Sequence, residues 1–290
     1  LPPEAKVSSP RYARPSGLKQ VYVTIPRTTP NVEGPLAQVH NMVAVASAKG
    51  GVGKSTLSVN LAMSLASQGA RVGLLDADIY GPSIPLMMGV RQQPVTAAEG
   101  VMHPIDKDGI ALMSIGFIAG EDAPVVWRGP LLARALQQFL HQVEWGELDY
   151  LLIDLPPGTG DVPLTLSQTV ALSGALMVTT PQAVALEDVE RGIAMFSKVE
   201  VDILGVVENM SYYICGECGE RHEIFAHGGG ADAAVRLGLP FLGAVPLSPA
   251  IRKGGDEGKA SSLREGQIGA IFDEIGDRLV GELRRLEEEG

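Results

Sequence analysis

From Met42 onward the chain alternates short, almost uninterrupted apolar runs with longer segments in which apolar residues recur every three or four positions. The short runs fit strands buried on both faces, and the longer period fits helices packed against them. The expected strands are Met42–Ser47, Arg71–Asp76, Ala111–Ile115, Tyr150–Asp154, Ala175–Thr179, Ile203–Glu208 and Phe241–Val245. Between them Leu57, Leu61 and Leu65 mark a helix stopped at Gly69, and Leu132, Leu136, Phe139, Leu140 and Val143 mark another. A last helix, about residues 268–286, lines up Ile271, Phe272, Ile275, Leu279 and Leu283 and should dock on the sheet. Alternation of this kind builds an α/β fold with a predominantly parallel, doubly wound sheet flanked by helices. Residues 1–37 lack periodicity and fit a flexible extension or linker, in which Val21–Ile25 could pair as an edge strand; residues 38–290 then form one domain.

Charge and cysteine usage exclude several classes. A formal net charge of −11 over 290 residues gives no basic footprint for nucleic acid. No apolar run approaches the roughly 18–20 residues that span a bilayer, and the opening residues lack a secretory apolar centre. The expectation is a cytoplasmic protein, or a mitochondrial matrix protein in a eukaryote, without stable membrane association. The two cysteines, Cys215 and Cys218, are too few for a disulfide framework, and their spacing favours metal or redox chemistry.

The first expected strand runs into Ala48-Lys49-Gly50-Gly51-Val52-Gly53-Lys54-Ser55-Thr56, and a helix follows at once. This is the strand–loop–helix context of a phosphate-binding loop. Its glycines let backbone N–H groups turn toward phosphates, the helix start adds positive potential, Lys54 neutralises β- and γ-oxygens, and Ser55 is placed to hold Mg2+. Ala48 stands where the usual Walker A pattern has glycine. Two acids, Asp78 and Asp154, close apolar strands, and Gly158 follows in Leu155-Pro156-Pro157-Gly158-Thr159-Gly160-Asp161. Acids at the carboxyl ends of parallel strands point into the ligand crevice.

With Lys49 the loop reads K-G-G-x-G-K-[ST], which resembles the deviant Walker A ATPases that include MinD, ParA, the nitrogenase iron protein and the Mrp/ApbC/Nbp35 proteins. Asp76–Met88, Val125–Pro130, Trp145–Tyr150 and Val206–Cys218 narrow the resemblance to the Mrp/ApbC/Nbp35 branch with its Ind1-like members. The resemblance implies a P-loop fold, slow ATP hydrolysis coupled to cluster transfer, and a homodimer in which Lys49 reaches the nucleotide of the other subunit. It also implies that Asp78 orients the attacking water, Asp154 supports Mg2+ through water and Gly158 senses the γ-phosphate. Asn209 falls at the adenine-contacting position, and Pro246-Leu247 where a loop covers the base.

In this branch Cys215 and Cys218 are expected to bind a [4Fe–4S] cluster for delivery to apo-proteins. Such a cluster needs about four ligands, which two chains related by a two-fold axis supply. Three other readings stay open. His222 and His227 could close a Cys2His2 zinc site with the cysteines. A MinD- or ParA-like spatial organiser would call for a basic amphipathic tail, whereas this chain's tail carries Glu287, Glu288 and Glu289. A reductase-like electron donor would carry widely separated cysteines instead of one close pair.

Overall fold

The computed structural model describes residues 34–97, 100–119, 129–158, 166, 170–226 and 228–289. The suggested strand Val21–Ile25, most of Val125–Pro130, the Thr159-Gly160-Asp161 stretch and His227 lie outside them. Among the described residues the strands are β1 (Val39–Ala46), β2 (Val72–Asp76), β3 (Val95–Thr96), β4 (Met102–His103), β5 (Ile105–Lys107), β6 (Ile110–Ser114), β7 (Leu148–Asp154), β8 (Gly174–Thr179), β9 (Ile203–Glu208), β10 (Tyr213–Ile214), β11 (Arg221–His222) and β12 (Phe241–Ala244). The helices are α1 (Lys54–Ser67), α2 (Ile84–Met87), α3 (Gly116–Ala119), α4 (Gly129–Gln142), α5 (Ala183–Lys198), α6 (Gly229–Leu237), α7 (Pro249–Asp256) and α8 (Gln267–Glu289).

Eight strands form one sheet in the order β12-β9-β8-β1-β7-β2-β6-β5. All neighbours are parallel except β5 and β6, which pair antiparallel at the edge. Each of the seven expected strands is present within a few residues of its expected limits. Strand β5 was not anticipated: three residues, of which only Ile105 is buried, carry too little pattern.

Alternate residues of each strand serve different faces. Val43 and Val45 join Leu57, Leu61 and Leu65 of α1 and Phe272, Ile275 and Leu279 of α8 on one side. Met42, Ala44 and Ala46 join Phe139 and Leu140 of α4 and Phe196 of α5 on the other, together with Leu36 from the turn Gly34–Gln38. Val143 lies just past α4, bridging to Met102. Helix α1 is buried well beyond its leucine stripe, because α8 covers its outer side; its buried Asn60 and Ser58 bond back to the carbonyls of Thr56 and Lys54. Sequential strands β1 and β2 are separated by β7, so the crevice at their carboxyl ends collects the loops after all three.

Candidate nucleotide cradle and cysteine hairpin

Register brings the carboxylates together. Asp154 ends β7 beside Val45 of β1 on one flank and Asp76 of β2 on the other. The loop after β1 then returns Lys54 and Ser55, the first residues of α1, over these strand ends. Lys54 Nζ donates to Asp154 Oδ2 at 2.7 Å and lies 3.4 Å from Asp78 Oδ2. Ser55 Oγ donates to the same Asp154 oxygen at 2.6 Å, and Ser58 Oγ donates to Asp154 Oδ1 at 2.6 Å. A buried carboxylate is thus satisfied by one ammonium and two hydroxyls. Ser58 was not singled out from sequence; its position four residues after Lys54, one turn along the same helix face, was the available signal.

Asp76 is fully buried and accepts from Ser114 Oγ at 3.0 Å and from the backbone N–H groups of Asp78 and Ile84. Burial first, and the Asp154 charge second, push its carboxyl up to about 7. An acid whose folded-state pKa exceeds its unfolded value holds a proton that the unfolded chain has already released. Its contribution to stability is therefore present below pH ~4 and lost as pH rises to ~7. Urea denaturation of the nucleotide-free protein should show that loss across this window, and Asp76→Asn should remove it. Wild-type and variant curves running parallel in pH would contradict the assignment.

Lys49, Gly50 and Gly51 are exposed, while Val52 is buried. Gly53 has φ 85°, and a Cβ there would overlap the amide nitrogen of Asn209, so both conformation and space require glycine. Gly158, at φ 103°, donates its N–H to the carbonyl of Ser47 at 2.8 Å; any γ-phosphate contact by that N–H would have to displace this bond. Asn209 Nδ2 donates to Val52 O at 2.8 Å. It lines a cavity of about 380 Å³ with Gly53, Thr56, Pro246, Leu247 and Ile251. Sequence-predicted residues from five separate segments therefore lie around one cradle: the phosphate loop, Asp78, the Asp154–Gly158 stretch, Asn209 and Pro246–Leu247.

Cys215 and Cys218 lie apart from that cradle, in the turn of the small β10–β11 hairpin. Cys215 N–H donates to Glu220 O and Gly219 N–H to Cys215 O, both at 2.9 Å, and Gly219 takes φ 74°. The backbone N–H groups of Cys218 and Glu217, then the Cys218 thiol, hold the Cys215 thiol below its ordinary value. A knuckle that favours thiolate suits a soft metal site. Among the described residues no group of three or more His, Cys, Asp or Glu side chains is arranged to hold a metal. His222 pairs across the hairpin with Tyr213 and lies 3.8 Å from Glu220.

A family model described as "ParA: NUBPL iron-transfer P-loop NTPase" matches residues 38–280. The iron-sulfur cluster carrier protein of Escherichia coli K12 is 47% identical over 260 residues, covering 89% of this chain and 69% of that one. The iron-sulfur cluster transfer protein NUBPL of Dictyostelium discoideum is 52% identical over 229 residues, covering 78% and 71%. The chain belongs to this iron-transfer P-loop NTPase family. Among solved structures, the nucleotide-binding protein of Archaeoglobus fulgidus, in complex with ADP, superposes with a TM-score of 0.73 at 39% identity, covering 82% of this chain and 94% of that one. The MinD ATPase of Pyrococcus furiosus shares the fold, with a TM-score of 0.62 at 24% identity, covering 82% and 98%. Family membership makes this chain a nucleotide-binding P-loop NTPase of the iron–sulfur carrier group. No described helix is long and apolar enough to cross a membrane.

Proposed function

We propose that this chain binds and slowly hydrolyses ATP in the cradle and uses the nucleotide cycle to carry a [4Fe–4S] cluster, its cargo, to apo-proteins. The observation that carries this reading is that one chain unites a phosphate cradle with a close cysteine pair, half-buried Cys215 held toward its thiolate and exposed Cys218, only a few residues along the chain from the cradle wall at Asn209.

The donor set around Asp154 and Ser55, a carboxylate and a hydroxyl, is hard oxygen and fits Mg2+, with Ser55 as direct ligand and Asp154 acting through water. The ion would supply charge neutralisation at the β- and γ-phosphates. The chain's own residues then do the positioning. Lys54 leaves its carboxylate partners for the phosphates, Gly158 exchanges Ser47 for the γ-phosphate, and Asp78 orients the water that attacks phosphorus. Asn209, Pro246 and Leu247 hold the base. Exposed Lys49 reaches the nucleotide of a second copy, completing a homodimer.

The cargo calls for the same partner. Two thiolates per chain make half of an all-cysteine cluster shell, and Ile214, Ile224 and Phe225 around the hairpin are 46%, 55% and 39% exposed. Apolar side chains flanking a half-site favour burial against a second copy. Neither nucleic acid nor a membrane enters the cycle.

Anaerobic reconstitution followed by iron, sulfide and zinc analysis tests the reading: about four irons and four sulfides per dimer are expected for one [4Fe–4S] cluster. Sulfide-free protein holding only zinc would overturn it. Asp78→Asn tests the hydrolytic assignment. It keeps the side chain's size, so ATP binding should persist while single-turnover hydrolysis falls by about 10²-fold. Hydrolysis at the wild-type rate would make Asp78 a turn residue and leave Asp76 as the candidate.

A further inference from the structure

The segment Asn209–Tyr212 is tied to the nucleotide cradle at one end and becomes the cysteine hairpin at the other. Asn209 N–H donates to Thr179 O at 2.8 Å, fixing the segment to the end of β8, while its side-chain amide holds Val52 O of the phosphate loop. Met210, which also lines the cavity, has φ 55°, a left-handed conformation uncommon for a non-glycine residue. Ser211 N–H donates to Val245 O at 2.9 Å and its hydroxyl to Glu208 Oε1 at 2.6 Å. Tyr212 O accepts from Leu247 N–H at 2.7 Å, and the Arg221 guanidinium stacks 4.0 Å above the Tyr212 ring. Tyr213 begins β10. Both walls of the cavity, Asn209–Met210 and Pro246–Leu247, are therefore bonded to the root from which the cysteine turn projects.

We propose that Asn209–Tyr212 is the strap through which nucleotide occupancy sets the pose of Cys215 and Cys218, with Asn209 and Met210 as positioning residues for the cysteine hairpin. The inference rests on the carrier reading above and names its route. A nucleotide that engages Asn209 and fills the space beside Met210 fixes the two walls relative to each other. The hairpin root, bonded through the backbone of Ser211 and Tyr212 to Val245 and Leu247 of one wall and through the Ser211 hydroxyl to Glu208 beside the other, follows. Linkage then requires nucleotide and metal to change each other's affinity by the same factor.

The test is a thermodynamic cycle on the full chain, kept reduced, with ADP and Co2+ as probes. Co2+ affinity is read from thiolate-to-cobalt absorption with and without saturating ADP, and ADP affinity by calorimetry with and without Co2+. In wild type the two ratios should agree and amount to about 5-fold or more. In Asn209→Ala and Met210→Gly the ratio should fall to about 1 while each variant still binds Co2+, an outcome that simple weakening of ADP binding does not give. The exposed Val235→Ala should keep the wild-type ratio. A second measurement needs no variant: amide hydrogen exchange of residues 213–222 in wild type should slow on adding ADP. Coupling retained in both strap variants overturns the route and leaves the carrier reading standing. Both probes binding wild type independently, or hairpin exchange indifferent to ADP, overturns the strap. Failure of wild type to bind ADP or Co2+ at all overturns the carrier reading beneath it.

Discussion

Lys54→Ala is expected to lose ATP binding by about 10²-fold, more than any other single change in the cradle. Lys54 is 5% exposed and bonded to Asp154, so a phosphate does not meet a free cation. It competes for one. Two charge-assisted contacts from Lys54 to the β- and γ-oxygens are worth about 4 kcal/mol together, and releasing Asp154 takes back part of that, which leaves the stated factor. Mg2+ and nucleotide should consequently bind as a pair, since Asp154 and Ser55 regain a positively charged neighbour only when the ion arrives. The variant also leaves Asp154 and Asp78 without their shared ammonium. Removing one partner of a buried pair costs about 3–5 kcal/mol, and protonation of the Asp76 carboxyl, already held to about 7, offsets some of it. Calorimetric titration of folded protein, with urea denaturation alongside, separates the two effects. Lys49→Ala is the companion: its exposed side chain takes no part in the buried cluster, so affinity should stay near wild type while turnover falls. Unchanged affinity in Lys54→Ala would remove the phosphate-loop assignment altogether.

The sheet was legible because its strands are buried on both faces and read as apolar runs, and because each of the seven parallel strands has enough residues to show that pattern. Short β5 and the two-residue strands of the β3–β4 and β10–β11 pairs carry no such signal; they exist through tertiary pairing and turn geometry. The phosphate loop was legible as a motif, since Gly53 and Lys54 are dictated locally by conformation and chemistry. What the sequence could not show is how the cradle's own groups bond to one another. That Lys54, Ser55 and Ser58 converge on Asp154 follows from the register between β1 and β7, and that Asp76 lies beside it from the register between β2 and β7, strands far apart in sequence. The left-handed Met210 was equally hidden, because nothing in an ordinary methionine side chain signals a positive φ.

Cys215→Ser and Cys218→Ser are each expected to abolish cluster binding while ATP still binds, its affinity differing from that of cluster-loaded wild type by no more than the linkage between the sites. A serine hydroxyl keeps the size of the knuckle and its turn, including the Cys215–Glu220 backbone bond, but does not ionise to a ligand for iron at neutral pH. Each substitution removes two of four thiolates from a two-fold assembly, because it is present in both chains, so the loss should be complete and not graded. His222→Ala should spare the cluster: in the structure that ring faces Tyr213 across the hairpin and is 45% exposed beside Glu220. His227→Ala should spare it as well. A zinc site closed within one chain predicts the reverse pattern, with one metal per monomer, no sulfide, no visible absorption and loss of metal when either histidine is removed. Size-exclusion chromatography of anaerobically reconstituted wild type and variants, with metal and sulfide measured on each peak, distinguishes the two. Cluster in a dimer peak that disappears with either cysteine upholds the carrier reading, and a sulfide-free monomer that keeps one zinc until a histidine is replaced defeats it.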